Sequence, residues 1–198
     1  WYEKEMRDLG IEVKLDTPVT DFKGLKEEEI IVATGAKPRK LPVPGFEKTI
    51  EACEYLLEQK EVGDKVVIIG GGLSGCEIAL DLYLKGKTPV IVEMKNDLVA
   101  VRGVCLANTS YLRDFFEHNK VEVHLETSVA EITDDGVKIK DRDGNISEIK
   151  ADSVISSAGY IPAPVTCEGK KAKLVGDCNG VGNLRTVVWR AWDVAMKI

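Results

Sequence analysis

The chain is 198 residues long, 44% apolar and 30% charged, with 27 basic against 33 acidic residues and a net charge of −6. This composition excludes a disordered or collagen-like chain and suits one large or two small domains with a sizeable core. The acidic balance argues against nucleic acid or an anionic membrane as the main partner, and no apolar run approaches the ~20 residues that span a bilayer.

Residues 2–9 carry Met6 and Leu9 at helical spacing, and Gly10 is a stop signal. Ile11, Val13 and Leu15 then alternate with charged residues, the pattern of a half-buried strand. Ile30–Ala33 reads as a short apolar strand ending in Thr34-Gly35, and the proline-bearing stretch 37–45 as an extended linker. A short helix is expected over 53–59. Val66–Ile69 is a buried strand, followed by the turn Gly70-Gly71-Gly72-Leu73-Ser74-Gly75 and a helix to Leu84. A second strand over 89–94 ends at Glu93. A helix follows over 106–118, then strands at 121–125, 129–133, 137–140 and 146–150. The turns Asp134-Asp135-Gly136 and Asp143-Gly144-Asn145 have hairpin chemistry. Val154-Ile155 is a last short strand before Ala158-Gly159, and a helix starts near Leu184 after Val175-Gly176-Asp177.

Five cysteines stand at 53, 76, 105, 167 and 178, an odd count with no Cys-x-x-Cys. A disulfide framework and a structural zinc site are therefore not expected, and no metal ligands are assigned. Free thiols and the lack of a signal-peptide pattern point to the cytoplasm. His118 and His124 have no metal or nucleophile partner at useful spacing and read as surface residues. No catalytic acid, base or nucleophile is assigned.

The chain repeats itself. Residues 111–129 echo residues 1–19, a helix and then a strand, at an offset of 110, and Ile155–Gly159 echoes Ile31–Gly35 at an offset of 124. The second copy is preceded by strand, glycine turn, helix and strand, whereas the first has nothing before it. The simplest expectation is a duplicated domain whose first half lies upstream and is missing here.

Gly70-x-Gly72-x-x-Gly75 follows a strand and opens a helix. The first glycine permits the tight turn, the second lets a pyrophosphate approach the backbone, and the third lets helix and strand pack closely. The helix N-terminus offers free N–H donors to phosphate. Glu93 ends the next strand, where an acid holds the adenosine ribose hydroxyls; read alone, it is a solvated acid at a strand end. Cys76, in the first helical turn, has the place of an activated thiol, but it sits on the apolar stripe and reads as a small buried hydrophobe. The segment as a whole is a nucleotide-binding βαβ unit.

With these motifs the chain resembles the two-dinucleotide-binding-domain flavoproteins. The carrying segments are Ile31–Pro38, Gly70–Glu77, Val90–Met94, Ala151–Ile155 with Ala158–Tyr160, and Val175–Cys178. Gly75-Cys76-Glu77 and Gly176-Asp177-Cys178 are most similar to the C-terminal part of NADH:flavin oxidoreductases of the 2-enoate reductase and 2,4-dienoyl-CoA reductase type. The resemblance implies an α/β fold: a Rossmann-like three-layer NAD-binding domain with a β-meander, over 48–157, inserted in a truncated FAD-binding domain of the same type, over 1–47 and 158–198. It implies NADH on Gly70, Gly71, Gly72, Leu73, Ser74, Gly75 and Glu93, and FAD along Gly35, Gly159, Gly176 and Asp177. It places FMN and an iron–sulfur cluster in an upstream TIM barrel. The C-terminal helix, Thr186-Val-Val-Trp-Arg-Ala-Trp192, is bulkier than the family's usual small residues.

The expected function is that of part of a flavin-dependent oxidoreductase: hydride passes from NADH to FAD for reduction of an enoate-like substrate. The alternatives are a nucleotide-binding module without activity of its own, and part of a pyridine-nucleotide disulfide reductase whose cysteine pair lies upstream. The chain alone is expected to hold little FAD, to prefer NADH to NADPH, and to expose an apolar face that promotes self-association.

Overall fold

The computed structural model describes residues 1–100, 103–166 and 171–198; Cys167 lies outside them. In chain order the elements are α1 (Tyr2–Asp8), β1 (Ile31–Val32), β2 (Ala36–Pro38), β3 (Ile50–Glu51), α2 (Ala52–Leu56), β4 (Lys65–Ile69), α3 (Leu73–Leu84), β5 (Thr88–Val92) and α4 (Leu106–His118). They continue with β6 (Glu122–His124), β7 (Ser128–Ile132), β8 (Gly136–Lys140), β9 (Ile146–Lys150), β10 (Ser153–Ser156), β11 (Tyr160–Pro162), β12 (Lys173–Leu174) and α5 (Leu184–Ala195). β2 and β11 form a two-stranded ribbon. Among the described residues no helix is long and apolar enough to cross a membrane.

The chain forms two compact units, one of residues 38–160 and one of residues 1–37 with 161–198. The sequence-based boundaries stood at 47/48 and 157/158. The first division lies earlier because Leu41, Val43 and Phe46 pack into the larger unit's core. Ile132 N–H also donates to Pro44 O at 2.9 Å, tying the linker to β7.

The larger unit is a three-layer α/β/β sandwich. Its central sheet is wholly parallel, with strand order β3-β10-β4-β5-β6. The run Val66–Ile69 is apolar throughout because both faces of the sheet are covered. Alternation sends Val66 and Ile68 to one face, where Tyr55 of α2, Cys76, Ile78 and Leu82 of α3, and Leu112 and Phe116 of α4 meet them. Val67 and Ile69, with Val90 and Val92, face Ile132, Val137, Ile139 and Ile149 of the antiparallel meander β7-β8-β9.

In the smaller unit β1 pairs in parallel with β12, Val32 opposite Leu174. Phe22, Val32 and Cys178 are buried there, and the Cys178 thiol lies 3.1 Å from Val32 O. The strand expected over 11–16 does not form. Ile11, Val13 and Leu15 are 52%, 53% and 79% exposed, and no strand of the described residues pairs with them. The equivalent residues of the second copy become β6 because β5 offers a ladder, Ile91 opposite Val123. Alternating side chains alone leave a strand's N–H and C=O groups unpaired, so without a neighbour it does not persist.

Candidate nucleotide-binding site

Parallel strands put all their C-terminal ends on one edge of the sheet, and the cleft of the larger unit opens there. Its volume is about 560 Å³, in the range of small-molecule sites. The floor is Ile69 at the end of β4 with Gly70 and Gly72 after it, Val92 at the end of β5 with Glu93 after it, and Ser157, Ala158 and Gly159 after β10. The walls include Arg39, Leu41, Val43, Lys95, Thr127 and Ser128.

The three motif glycines meet three different surroundings. Gly70 has φ +109°, and a Cβ there would lie 2.4 Å from Ser157 O. A Cβ on Gly75 would lie 1.9 Å from Gly70 O, so only glycine lets α3 settle on β4. A Cβ on Gly72 would meet nothing within 4 Å. Gly72 is the N-cap of α3 and no side chain caps that helix. The open space and the uncapped N–H groups thus coincide at the cleft, an arrangement suited to an anion.

Glu93 is buried, 7% exposed, and its carboxylate is partly engaged. Oε2 accepts from Gly71 N–H at 2.6 Å and Oε1 from Lys95 N–H at 2.8 Å. Each oxygen can accept a second hydrogen bond and Glu93 lines the cleft, so the residue can both hold the loop and accept from hydroxyl groups. The hydrogen bonds to Gly71 and Lys95 were not legible in sequence, where Glu93 reads as the strand-end acid that faces the ribose. Gly71 O in turn accepts from Val99 N–H at 2.7 Å. Val99 has φ +48°, unusual for a β-branched residue. Arg113 of α4 holds the same segment, donating to Asp97 at 2.9 Å and to Leu98 O at 2.6 Å.

Of the remaining glycine-turn positions, Leu73 begins α3 and packs into the helix-side core and Ser74 follows it in the helix; neither lines the cleft. Cys76 is fully buried, its thiol pushed up to about 12 by desolvation and by the nearby Glu93 carboxylate. Burial outweighs the helix N-terminus, so this thiol is inert.

Gly159 lies beside the cleft with φ +83°, and its carbonyl accepts from Arg39 N–H at 2.9 Å. Gly35, Gly176 and Asp177 belong to the smaller unit. Gly35 (φ +74°) follows β1 and Gly176 (φ +66°) follows β12, so they stand at the same end of that parallel pair. Asp177 Oδ1 accepts from Gly182 N–H at 3.0 Å. Sequence reasoning missed Arg39, Thr127 and Ser128, which reach the cleft from segments distant in sequence. The sequence offered only two adjacent cations between prolines, Pro38-Arg39-Lys40-Leu41-Pro42, which does not single out Arg39.

Comparison with known proteins agrees with this architecture. Over its whole length the chain is 39% identical to a cinnamate reductase of Clostridium sporogenes and 28% identical to an NADH oxidase of Thermoanaerobacter brockii, of which it spans 31% and 32%. Its fold matches a 2-naphthoyl-CoA reductase solved with 2-naphthoyl-CoA, with a TM-score of 0.83 at 26% identity, covering all of this chain and 31% of that one. The chain thus spans about a third of these relatives. Residues 24–181 match the pyridine nucleotide-disulphide oxidoreductase family, and with the sandwich, the glycine turn and the strand-end acid in place, the chain belongs to that family.

Proposed function

We propose that the larger unit holds NAD(H) in the cleft at the C-terminal edge of its sheet, and that the chain is the nucleotide-binding portion of a flavin-dependent reductase of unsaturated acids or their CoA thioesters. The observation that carries the first part is the meeting of Gly72, the uncapped start of α3 and Glu93 at one cleft. The second part draws on the relatives: one is named for cinnamate, an unsaturated acid, one for 2-naphthoyl-CoA, a CoA thioester, and one, an NADH oxidase, for the nucleotide.

When bound, the nicotinamide supplies a hydride and a flavin accepts it; the protein contributes position and electrostatics. In this reading Gly72 lets the pyrophosphate reach the backbone, the first N–H groups of α3 donate to it, and Glu93 accepts from the adenosine ribose. Gly35, Gly159, Gly176 and Asp177 are proposed to contribute to flavin binding. The sequence holds a single G-x-G-x-x-G turn, at 70–75, so the 198-residue chain is proposed to bind nucleotide while retaining little FAD and turning over none.

Glu93 also sets a preference. A ribose 2′-hydroxyl donates to its carboxylate, whereas a 2′-phosphate meets like charge at short range. NADH is expected to bind about ten- to a hundredfold more tightly than NADPH, on the order of 1–3 kcal/mol. Calorimetric titration with each nucleotide measures this directly. Equal or tighter NADPH binding removes Glu93 from the ribose, and absence of binding by either removes the site.

A further inference from the structure

We infer that Arg39 is a positioning residue of the cleft, gripping the nicotinamide-side phosphate of a bound dinucleotide; the inference rests on the NAD(H) reading above. Arg39 lines the cleft, and its backbone is fixed by the 2.9 Å hydrogen bond to Gly159 O. Its guanidinium, by contrast, makes no hydrogen bond or ion pair among the described residues. Other cations here are committed: the Lys95 ammonium donates to Ala100 O at 3.1 Å, and Arg113 is taken by Asp97 and Leu98. An exposed arginine that lines the cleft, with its main chain anchored and its five guanidinium donors unspent among the described residues, has the chemistry for bidentate recognition of a phosphate.

Topology says which phosphate. Across the sheet the order is β10, β4, β5. Glu93 follows β5, the glycine turn follows β4, and Gly159, with Arg39 bonded to it, follows β10. A dinucleotide whose adenosine ribose meets Glu93 therefore crosses the glycine turn and leaves on the Arg39 side. The two cradles also come from opposite faces. α3 covers the helix side of the sheet, while Leu41 and Val43, just after Arg39, pack on the meander side. The pyrophosphate would thus be held from α3 on one side and from Arg39 on the other.

The test uses the whole 198-residue chain as wild type, Arg39→Gln and Arg39→Lys, titrated with NADH directly and with AMP by competition. AMP carries only the adenosine-side phosphate. Arg39→Gln is expected to weaken NADH about tenfold or more, to leave AMP within about twofold, and to flatten the salt dependence of NADH binding. Arg39→Lys should recover part of the loss, because the charge returns without the fork. Equal thermal unfolding of all three proteins shows that the effect is not structural. NADH binding unchanged by Arg39→Gln, or NADH and AMP weakened alike, overturns the inference and leaves the nucleotide site standing. A wild-type chain that binds neither ligand overturns the NAD(H) reading itself, and this inference with it.

Discussion

Gly72 and Gly75 lie three residues apart in one turn, yet a methyl group would meet opposite surroundings at the two positions. At Gly75 it would press within 1.9 Å of Gly70 O, between α3 and β4. Relief requires shifting a buried helix whose residues Cys76, Ile78, Ala79 and Leu82 are fully buried, at a cost of about 1–3 kcal/mol or more. At Gly72 the methyl points into open space, with φ −69° acceptable to any residue. Gly75→Ala is therefore expected to lower the unfolding midpoint by several degrees. Gly72→Ala should cost less, about 0.5–1 kcal/mol, because alanine is a poorer N-cap than glycine, while the methyl obstructs the pyrophosphate and weakens NADH several-fold. Thermal melts and titration of the two variants separate packing from binding; equal effects of both substitutions on both readouts would refute the assignment.

Between elements, α2 and α3 are joined by a small polar network. Tyr55 O–H donates to Asp81 at 2.5 Å, and Lys85 Nζ lies 2.8 Å from the same carboxylate and 5.2 Å from the Tyr55 ring centre. Partial burial works against the Asp81 charge, but the hydrogen bonds from Lys85 and Tyr55 win and hold its carboxyl below the usual value. A lowered folded pKa stabilises above the unfolded value, about 3.9, and that contribution disappears as pH falls through the folded pKa. Both charged side chains are over 40% exposed, so screening keeps the effect modest. Asp81→Asn should be less stable than wild type at neutral pH, with the gap narrowing as pH drops below about 4. Urea melts across that range test it; a constant gap would place the stabilisation in packing rather than charge. The elements themselves were largely legible. Glycine and aspartate turns delimited the meander, and helical spacing of Leu112, Phe115 and Phe116 located α4. Strand order was not legible, because β3 and β10 join the sheet from segments a hundred residues apart.

At the scale of the molecule, the two units differ in how completely they bury their apolar residues. The larger has a core on each face of its sheet. In the smaller, neither α1 nor α5 contributes a buried residue. Along α5 and its C-cap, Trp189, Trp192 and Met196 recur at helical spacing and are 63%, 61% and 68% exposed, with Leu184 at 85%. A stripe of this kind favours association. The mass from light scattering is expected to rise with protein concentration, and Trp189→Glu with Trp192→Glu should suppress the rise. A monomer mass at every concentration would show that the stripe drives no association.

The local grammar is readable from the chain alone: an apolar run suited to burial on both faces, a glycine turn where a backbone must be approached, an acid at a strand end, and a repeat at an offset of 110 residues. These are short-range constraints of sterics and periodicity, readable wherever neighbours in the chain are neighbours in space. Which residues share the cleft depends instead on how the chain folds back on itself. Arg39, Thr127 and Ser128 arrive there because parallel strands align their C-terminal ends while the linker folds back on the meander. The tertiary structure also decided that Glu93 spends part of its carboxylate on Gly71 and Lys95. The same physics kept Ile11–Leu15 from becoming a strand. Alternation specifies which side chains share a face, but a ladder needs a second backbone, and pairing is a property of the fold rather than of the segment.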